Sequence, residues 1–248
     1  MRTIYVLWLR QLKRYLRSKS RIIGSLGQPI LFLVALGFGF GPIFKKAGGG
    51  NYMEFLAPGI IAQGILFTSM FSGTEIIWDR QFGFLKETLV TPVSRLEIMI
   101  GRTLGGATIA TFQGVIIFIL SLFVGFKPTN IFSVIISLVI MFLMSLLFTG
   151  LGTAIASTLD DFQGFQLIMN FLVMPMFFLS GALFPLNGLP KTIDVISRLN
   201  PLTYGVDGLR TTLTGISHFG LGVDFLVLGL ITFLILSLGS YLFSRIEV

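Results

Sequence analysis

Long apolar runs, separated by short segments rich in charge or turn residues, dominate the hydrophobic pattern of this chain. About 20 apolar residues are needed to cross the hydrocarbon core of a bilayer as a helix. Lipid offers no partner for free backbone N–H and C=O groups, so helices are the expected form of such runs. Six runs meet this length, at 22–44, 55–78, 98–126, 131–159, 162–184 and 221–243. The pattern therefore predicts an all-α membrane protein with six transmembrane helices.

The first 21 residues have a different pattern, in which apolar and basic side chains fall on opposite faces of a helix. One face carries Ile4, Trp8, Leu12, Tyr15 and Leu16, and the opposite face carries Arg10, Lys13, Arg14 and Arg17. A helix of this kind lies flat in the membrane interface. Packing against the rest of the protein is the alternative. We predict a cytoplasmic, amphipathic interfacial helix over 1–21.

The longest segment between apolar runs, 185–220, is only mildly polar. Prolines 185, 190 and 201 interrupt it, and the stretches "KTIDVISRL" and "YGVDGLRTTL" have the pattern of short amphipathic helices. Such helices sit at the outer interface or dip back into the bilayer. We predict re-entrant outer helices before the last span.

A charged segment, 79–97, separates the second span from the third. Its centre, "FGFLKETLVTPVSR", has the flexible Gly83 at its start, and Pro92 ends a helix at or before the preceding residue. Its apolar side chains amid the charges are Phe82, Phe84, Leu85 and Leu89. Apolar anchors with a charged rim fit a groove on a partner protein, and they also fit a membrane surface. The residues alone leave both alternatives open.

Composition supports the membrane prediction. The chain is 54% hydrophobic and 12% charged, whereas globular domains average about 25% charged residues. So little charge cannot cover a soluble domain of 248 residues. The net charge of +7 comes from Lys and Arg clustered beside the apolar runs. That placement is typical of membrane topology signals and does not indicate a nucleic-acid partner.

The same basic residues predict orientation. Twelve of the 18 Lys and Arg precede the first span, lie between the second and third or at the start of the third, or follow the last, and the other six lie on the opposite side. The larger count marks the cytoplasm. We therefore expect a multi-pass protein of the cell membrane with both termini in the cytoplasm.

No pattern for catalysis, metal binding or nucleotide binding occurs. The chain has no Cys, one His (His218), no G-x-x-x-x-G-K-[ST] and no H-E-x-x-H. The middle of the predicted spans carries almost no ionisable group, so no internal proton or sodium route is visible. We expect no catalytic residue, no metal and no cofactor in this chain, and an energy source outside it.

Three smaller features carry expectations. Gly101, Gly105, Gly150 and Ala154 stand at helical spacing within apolar runs and predict close helix packing. Glu75 lies a turn inside the second span, where it either reaches water or pairs with Arg80. The adjacent Asp160 and Asp161 diverge by 100° on a helix and are typical of a solvated loop.

Two stretches, "DRQFGFLKETLVTPVSRLEIMIGRTLGG" and "MFFLSGALFPLNGLPKTIDVISRLNPLTYGVDGLR", carry a resemblance to a known family. They resemble the membrane subunits of ABC-2 type exporters, the permease family that includes daunorubicin-resistance and nodulation-factor export proteins. The order of elements agrees as well. The resemblance covers essentially the whole chain and implies a single ABC-2 type transmembrane domain over 1–248.

The resemblance implies roles for particular residues. A coupling helix within 79–97, which docks into an ATPase, would hold Arg80, Gly83, Phe84, Leu85, Lys86, Glu87, Leu89, Thr91 and Pro92. A second, lesser contact would come from the turn 159–164, which holds Asp160 and Asp161. An outer re-entrant cap would be shaped by Asn200, Pro201, Tyr204, Asp207 and Arg210, with Asp207 and Arg210 pairing at i and i+3. One departure is Gln81, where similar sequences more often have Glu.

The implied assembly has two copies of this chain and two ATPase subunits, which bind the ATP and Mg²⁺. Closure of the ATPases would open a path for a hydrophobic or amphiphilic substrate, such as a drug, a lipid or a glycolipid or polysaccharide. Its walls would include Phe67, Phe71, Phe171 and Phe177. Two other interpretations stay open: a membrane scaffold or sensor that transports nothing, and a self-contained secondary carrier or intramembrane enzyme.

Overall fold

The structure is a computed structural model that describes residues 2–46, 50–84, 93–186, 188 and 190–244. The described residues form helices joined by turns. Their bounds are α1 Arg2–Arg17, α2 Lys19–Lys46, α3 Tyr52–Phe71, α4 Thr74–Gln81, α5 Arg95–Phe123, α6 Ile131–Ser157, α7 Phe162–Phe178, α8 Lys191–Leu199, α9 Pro201–Thr214 and α10 Leu221–Ser244.

Among the residues that the structure describes, five helical stretches are long and apolar enough to cross a membrane: Lys19–Lys46, Tyr52–Gln81, Arg95–Phe123, Ile131–Ser157 and Leu221–Phe243. The prediction of an all-α membrane protein is confirmed for these. The run predicted as the fifth span forms α7, which has only 17 residues. At 1.5 Å per residue α7 covers about 26 Å, somewhat less than the roughly 30 Å hydrocarbon core. The helix ends early because the chain turns at Gly181, whose φ is +74°.

Helix α3 forms the centre of the bundle. It packs against α2, α5, α6, α7 and α9, while α1 lies along α5 and α10 lies along α6. Apolar residues on all sides of a helix indicate burial, and α3 has them. Its fully buried side chains include Leu56, Ile60, Ile61, Ile65, Leu66 and Met70.

The second long stretch is broken where it crosses α6. Helix α3 ends at Phe71 and α4 begins at Thr74, with a turn at Ser72 and Gly73. A Cβ on Gly73 would overlap the carbonyl group of Gly152, and a Cβ on Gly152 would overlap the backbone of Met70. Only glycine permits such a contact, so the two helices meet backbone to backbone.

The glycines predicted to mediate close packing do so. A Cβ on Gly101 would lie 3.0 Å from the Cβ of Leu7, and one on Gly150 would lie 2.9 Å from Leu236. Gly105 leaves room for the Gln11 side chain. These contacts join α1 to α5 and α6 to α10.

Large apolar side chains cover the outside of the bundle. Helices α2 and α10 expose many of theirs, including Ile23, Leu31, Phe38, Leu226 and Phe233. A surface this apolar is not stable in water and needs lipid or another protein against it.

Candidate functional site

Helix α4 leads into the predicted coupling segment, and Arg80 near its end holds it against α6. The Arg80 guanidinium donates to the carbonyl oxygens of Leu159, at 2.9 Å, and Ser157, at 3.2 Å. The last carbonyls of a helix have no partner within the helix, and a cation there also interacts favourably with the helix dipole. Arg80 therefore caps the C-terminus of α6.

Asp160 joins the same contact. Its carboxylate accepts from the Arg80 guanidinium, although the Asp160 side chain is 91% exposed. Arg80 and Asp160 were predicted for two separate contacts, and the structure brings them together. The neighbouring Asp161 has another role, because its Oδ1 accepts from the backbone N–H of Gly164 at 2.6 Å and caps the N-terminus of α7.

The chain after α4 turns at Gly83, whose φ of +77° lies in the region that glycine adopts without strain. The Arg10 guanidinium of α1 lies 3.7 Å from the centre of the Phe84 ring, which is a cation–π contact. The remaining predicted coupling residues, Leu85, Lys86, Glu87, Leu89, Thr91 and Pro92, lie outside the described residues.

A buried ion cluster lies beside this turn, and sequence reasoning assigned it no role. The carboxylate of Asp79 is buried and accepts from Arg102 Nη2 at 2.6 Å. Arg10 and Arg14 of α1 lie 3.5 Å and 3.9 Å from its other oxygen. A buried charge needs such compensation. The signal in the sequence was an acidic residue at the edge of an apolar run, opposite a basic helix.

Glu75 pairs with Arg21 of α2, at 3.2 Å. The alternative that Glu75 pairs with Arg80 is wrong, because Arg80 bonds to the end of α6 instead. We call this end of the bundle, defined by Arg10, Arg21, Arg80 and Arg102, the basic end.

Helix α1 is fixed to α5 by two hydrogen bonds. Trp8 Nε1 donates to Thr108 Oγ1 at 3.0 Å, and the Tyr15 hydroxyl donates to Gln113 Oε1 at 2.9 Å. Burial raises the pKa of the Tyr15 phenol above its ordinary value. Leu16 was predicted on the same apolar face but is exposed. One side of α1 therefore packs on the protein, which was the alternative to purely interfacial placement.

At the opposite end, α8 and α9 form a compact unit that includes the predicted cap residues. Asn200 caps α9 by accepting from the Leu202 N–H at 3.0 Å, and its Nδ2 donates to the Met176 carbonyl at 2.6 Å. Pro201 takes the first position of α9, where its missing N–H costs nothing. The Tyr204 hydroxyl donates to the Arg198 carbonyl at 2.9 Å. The Asn200–Met176 bond ties this unit to the end of α7, and the other bonds join α8 to α9.

The expected pairing of Asp207 with Arg210 is wrong. The Asp207 carboxylate accepts from the backbone N–H groups of His218, at 2.9 Å, and Phe219, at 2.7 Å. Arg210 donates to the carbonyl of Gly181 at 2.9 Å and lies over the Phe55 ring at 4.0 Å. The two side chains therefore bond to backbone groups of nearby turns and not to each other.

One cavity of about 420 Å³ lies between α2, α3, α5 and α7, close to the basic end. Two of the four predicted pathway residues, Phe67 and Phe71, line it. Phe177 is buried and stacks on Phe32, with ring centres 6.4 Å apart. Phe171 is 84% exposed on the outside of α7. The structure therefore does not bring the four phenylalanines together.

Asp224 is an acidic residue that sequence reasoning passed over. It lies in the first turn of α10 and is fully buried. Neither carboxylate oxygen has a hydrogen-bond partner among the described residues. Within the described ranges no group of three or more His, Cys, Asp or Glu could hold a metal ion.

These features define a class: a multi-span helical membrane protein with a basic end, built from close glycine crossings. Comparison with known proteins gives the family. The protein-family model described as "ABC-2 type transporter" matches residues 2–214 of this chain. The chain belongs to the ABC-2 type transporter family, a family of transport permeases and not of catalytic enzymes.

Similar proteins have names that agree. Nodulation protein J of Rhizobium leguminosarum bv. viciae is 29% identical over 215 residues, which is 84% of this chain and 82% of that protein. The inner membrane transport permease YadH of Escherichia coli (strain K12) is 25% identical over 224 residues, 90% of this chain and 87% of YadH. The ycf38 protein of Cyanophora paradoxa is 30% identical over 214 residues, 84% of this chain and 72% of ycf38.

Proposed function

We propose that this chain is the transmembrane permease subunit of an ATP-binding cassette exporter. Its membrane helices would form the pathway for a hydrophobic or amphiphilic substrate, and a separate ATPase subunit would bind ATP and Mg²⁺ and supply the energy. The chain itself would need no cofactor and no nucleic-acid partner. The observation that carries the proposal is the Arg80 contact, together with membership of the ABC-2 type transporter family.

The Arg80 contact supports coupling because it joins two segments that are separate in sequence. Arg80 lies near the start of the predicted coupling segment 79–97, and its partners Leu159 and Asp160 form the α6–α7 turn, the predicted second contact. Force applied to either segment would move α4 and α6 together. A rigid block of this kind is how an ATPase movement becomes a helix shift in the membrane.

The proposal also includes a membrane topology. Helix α7 would act as a sixth span, with both termini in the cytoplasm of a cell whose plasma membrane holds the protein. Helix α1 would rest at the inner interface with its exposed Tyr5, Val6 and Leu16 toward lipid. Helices α8 and α9 would dip into the outer leaflet as a re-entrant cap.

Two copies of this chain would pair with two ATPase subunits. A two-fold homodimer is the commonest closed assembly, and the exposed apolar sides of α2 and α10 offer surface for a partner copy as well as for lipid.

The alternatives are a scaffold or sensor that moves nothing and a self-contained secondary carrier. Asp224 is the acidic residue that a proton-driven carrier would use, but it lies in the first turn of α10 and not at mid-span. Uphill transport by the purified chain alone, in liposomes without nucleotide, would establish the carrier and exclude our proposal.

The test uses the chain co-purified with its ATPase and reconstituted in proteoliposomes, with Leu85→Asp and Gly83→Pro as the variants. Proline fixes φ near −65°, whereas Gly83 has φ of +77°, so the second change redirects the chain after α4. We expect both variants to insert normally but to lose most of the transport per ATP hydrolysed. Leu199→Asp, an equally drastic change at an exposed residue of the opposite end, is the control. Full coupling in both variants would contradict the docking role.

A further inference from the structure

The cavity between α2, α3, α5 and α7 has walls of two kinds. Aromatic rings in the lining come from Phe67, Phe71, Trp78 and Phe162. The polar side chains of the lining include Gln28, Gln63, Gln166 and Tyr15. Its volume of about 420 Å³ falls in the range of small-molecule sites, which hold roughly 300–1,000 Å³.

Gln63 is the unusual residue in this lining. It is only 1% exposed, and neither its Oε1 nor its Nε2 has a hydrogen-bond partner among the described residues. Buried side-chain amides nearly always have partners, because an unpaired one destabilises the fold. Gln63 is also in the middle of α3, where a leucine or isoleucine would pack without such a cost. A partner that enters the cavity would account for its presence.

The charges of the lining select the kind of partner. Arg21 and Glu75 both border the cavity, but they pair with each other at 3.2 Å. The pair leaves no net charge toward the interior. A charged group would enter without a counter-ion and would lose its hydration. An uncharged group that both donates and accepts hydrogen bonds would satisfy the two ends of the Gln63 amide.

We propose that this cavity binds an uncharged amphiphile whose polar end carries amide or hydroxyl groups. Gln63 bonds to that polar end, and Phe67, Phe71 and Trp78 hold the apolar part. The inference rests on the proposed export function for its purpose, but the binding step needs no ATPase. It can therefore be measured on the purified chain in lipid nanodiscs.

The experiment uses one of the two tryptophans as a reporter. The Trp8→Phe variant leaves Trp78, in the cavity wall, as the single tryptophan. Three probes with the same alkyl chain are titrated below their micelle concentration: decyl glucoside, decyltrimethylammonium and decyl sulfate. We expect a saturable change in Trp78 fluorescence with decyl glucoside and only linear partitioning with the two charged probes.

The variant Gln63→Leu then tests the contact. Removing a hydrogen-bonding partner of a neutral group weakens binding of decyl glucoside by about tenfold. Without probe, the Gln63→Leu variant should unfold at the same temperature as the parent or at a higher one, because the two unpaired polar atoms of the Gln63 amide are gone. Thr103→Val is the matched control. It removes another buried, unpartnered polar atom, Thr103 Oγ1, away from the cavity, and should leave probe binding unchanged.

Three results would overturn the inference: no saturable binding, equal binding of a charged probe, or an unchanged affinity in Gln63→Leu. The first would mean that the cavity is not a binding site for a neutral amphiphile. Failure of the proposed function is a separate result, because it would appear as missing ATP-driven transport while decyl glucoside still binds. The reverse pattern, in which ATP-driven export proceeds normally but decyl glucoside does not bind the parent protein, would remove only this inference.

Discussion

Arg80→Ala is the most informative change at the basic end. It removes two hydrogen bonds from a cation to the terminal carbonyls of α6, at 2.9 Å and 3.2 Å, and one ion pair with the exposed Asp160. A hydrogen bond to a charged group contributes about 1.5–3 kcal/mol. Exposed ion pairs contribute below about 1 kcal/mol. Because water replaces part of what is lost, we expect roughly 2–3 kcal/mol of destabilisation at this contact.

The chemistry predicts an order among three variants. Arg80→Lys keeps the charge but loses the planar fork that reaches two carbonyls at once, so its free energy of unfolding should fall by about half as much as that of Arg80→Ala. The free energy of unfolding of Asp160→Asn should fall least, since the bonds from Arg80 to Ser157 and Leu159 remain. A difference of 2 kcal/mol changes the ratio of closed to open contact about thirtyfold, since 1.4 kcal/mol is tenfold.

Two assays on the same samples check the order. Thermal unfolding in nanodiscs reports the stability of the contact, and ATP-driven transport per ATP hydrolysed reports its role in coupling. We expect the unfolding temperature and the transport per ATP to fall least in Asp160→Asn, more in Arg80→Lys and most in Arg80→Ala. If Asp160→Asn matched Arg80→Ala, the ion pair and not the helix cap would be the important bond. If all three matched the parent, the Arg80 contact would not transmit force.

Two further predictions concern buried positions. Gly152→Ala should destabilise the protein by about 1–3 kcal/mol, because its Cβ overlaps the Met70 backbone. Gly229→Ala, where nothing lies within 4 Å, should instead be neutral or stabilising, and equal unfolding temperatures for the two would contradict the glycine crossing. Asp224→Leu should raise stability by roughly 1–3 kcal/mol, since it replaces an unpartnered buried carboxyl with an apolar side chain of similar size. A lower unfolding temperature in that variant would mean that the carboxyl has a partner.

The helices were the most predictable part of the fold. Length and hydropathy suffice for α2, α5, α6 and α10, because the requirement to bury the backbone in lipid leaves no other form. The break between α3 and α4 was not predicted. It depends on Gly73 meeting Gly152, which are 79 positions apart, and neither glycine is distinctive within its own run.

Side-chain partners were less predictable than helices. Local spacing suggested Asp207 with Arg210 and Glu75 with Arg80, but the structure gives all four other partners. Spacing along a helix says which side chains can meet, whereas the partner chosen depends on which backbone groups and charges from other helices lie nearby. For the same reason Asp79 and Gln63 were recognisable only once α1 and α7 were in place.

The crossing of Gly73 and Gly152 has a mechanical consequence. Side chains between two helices can change rotamer and so absorb a relative movement of the helices. Two backbones in direct contact cannot absorb such a movement. A shift of the break between α3 and α4 by a fraction of an ångström must therefore shift α6 by the same amount. At this crossing, small movements of one helix are transmitted to the other without loss.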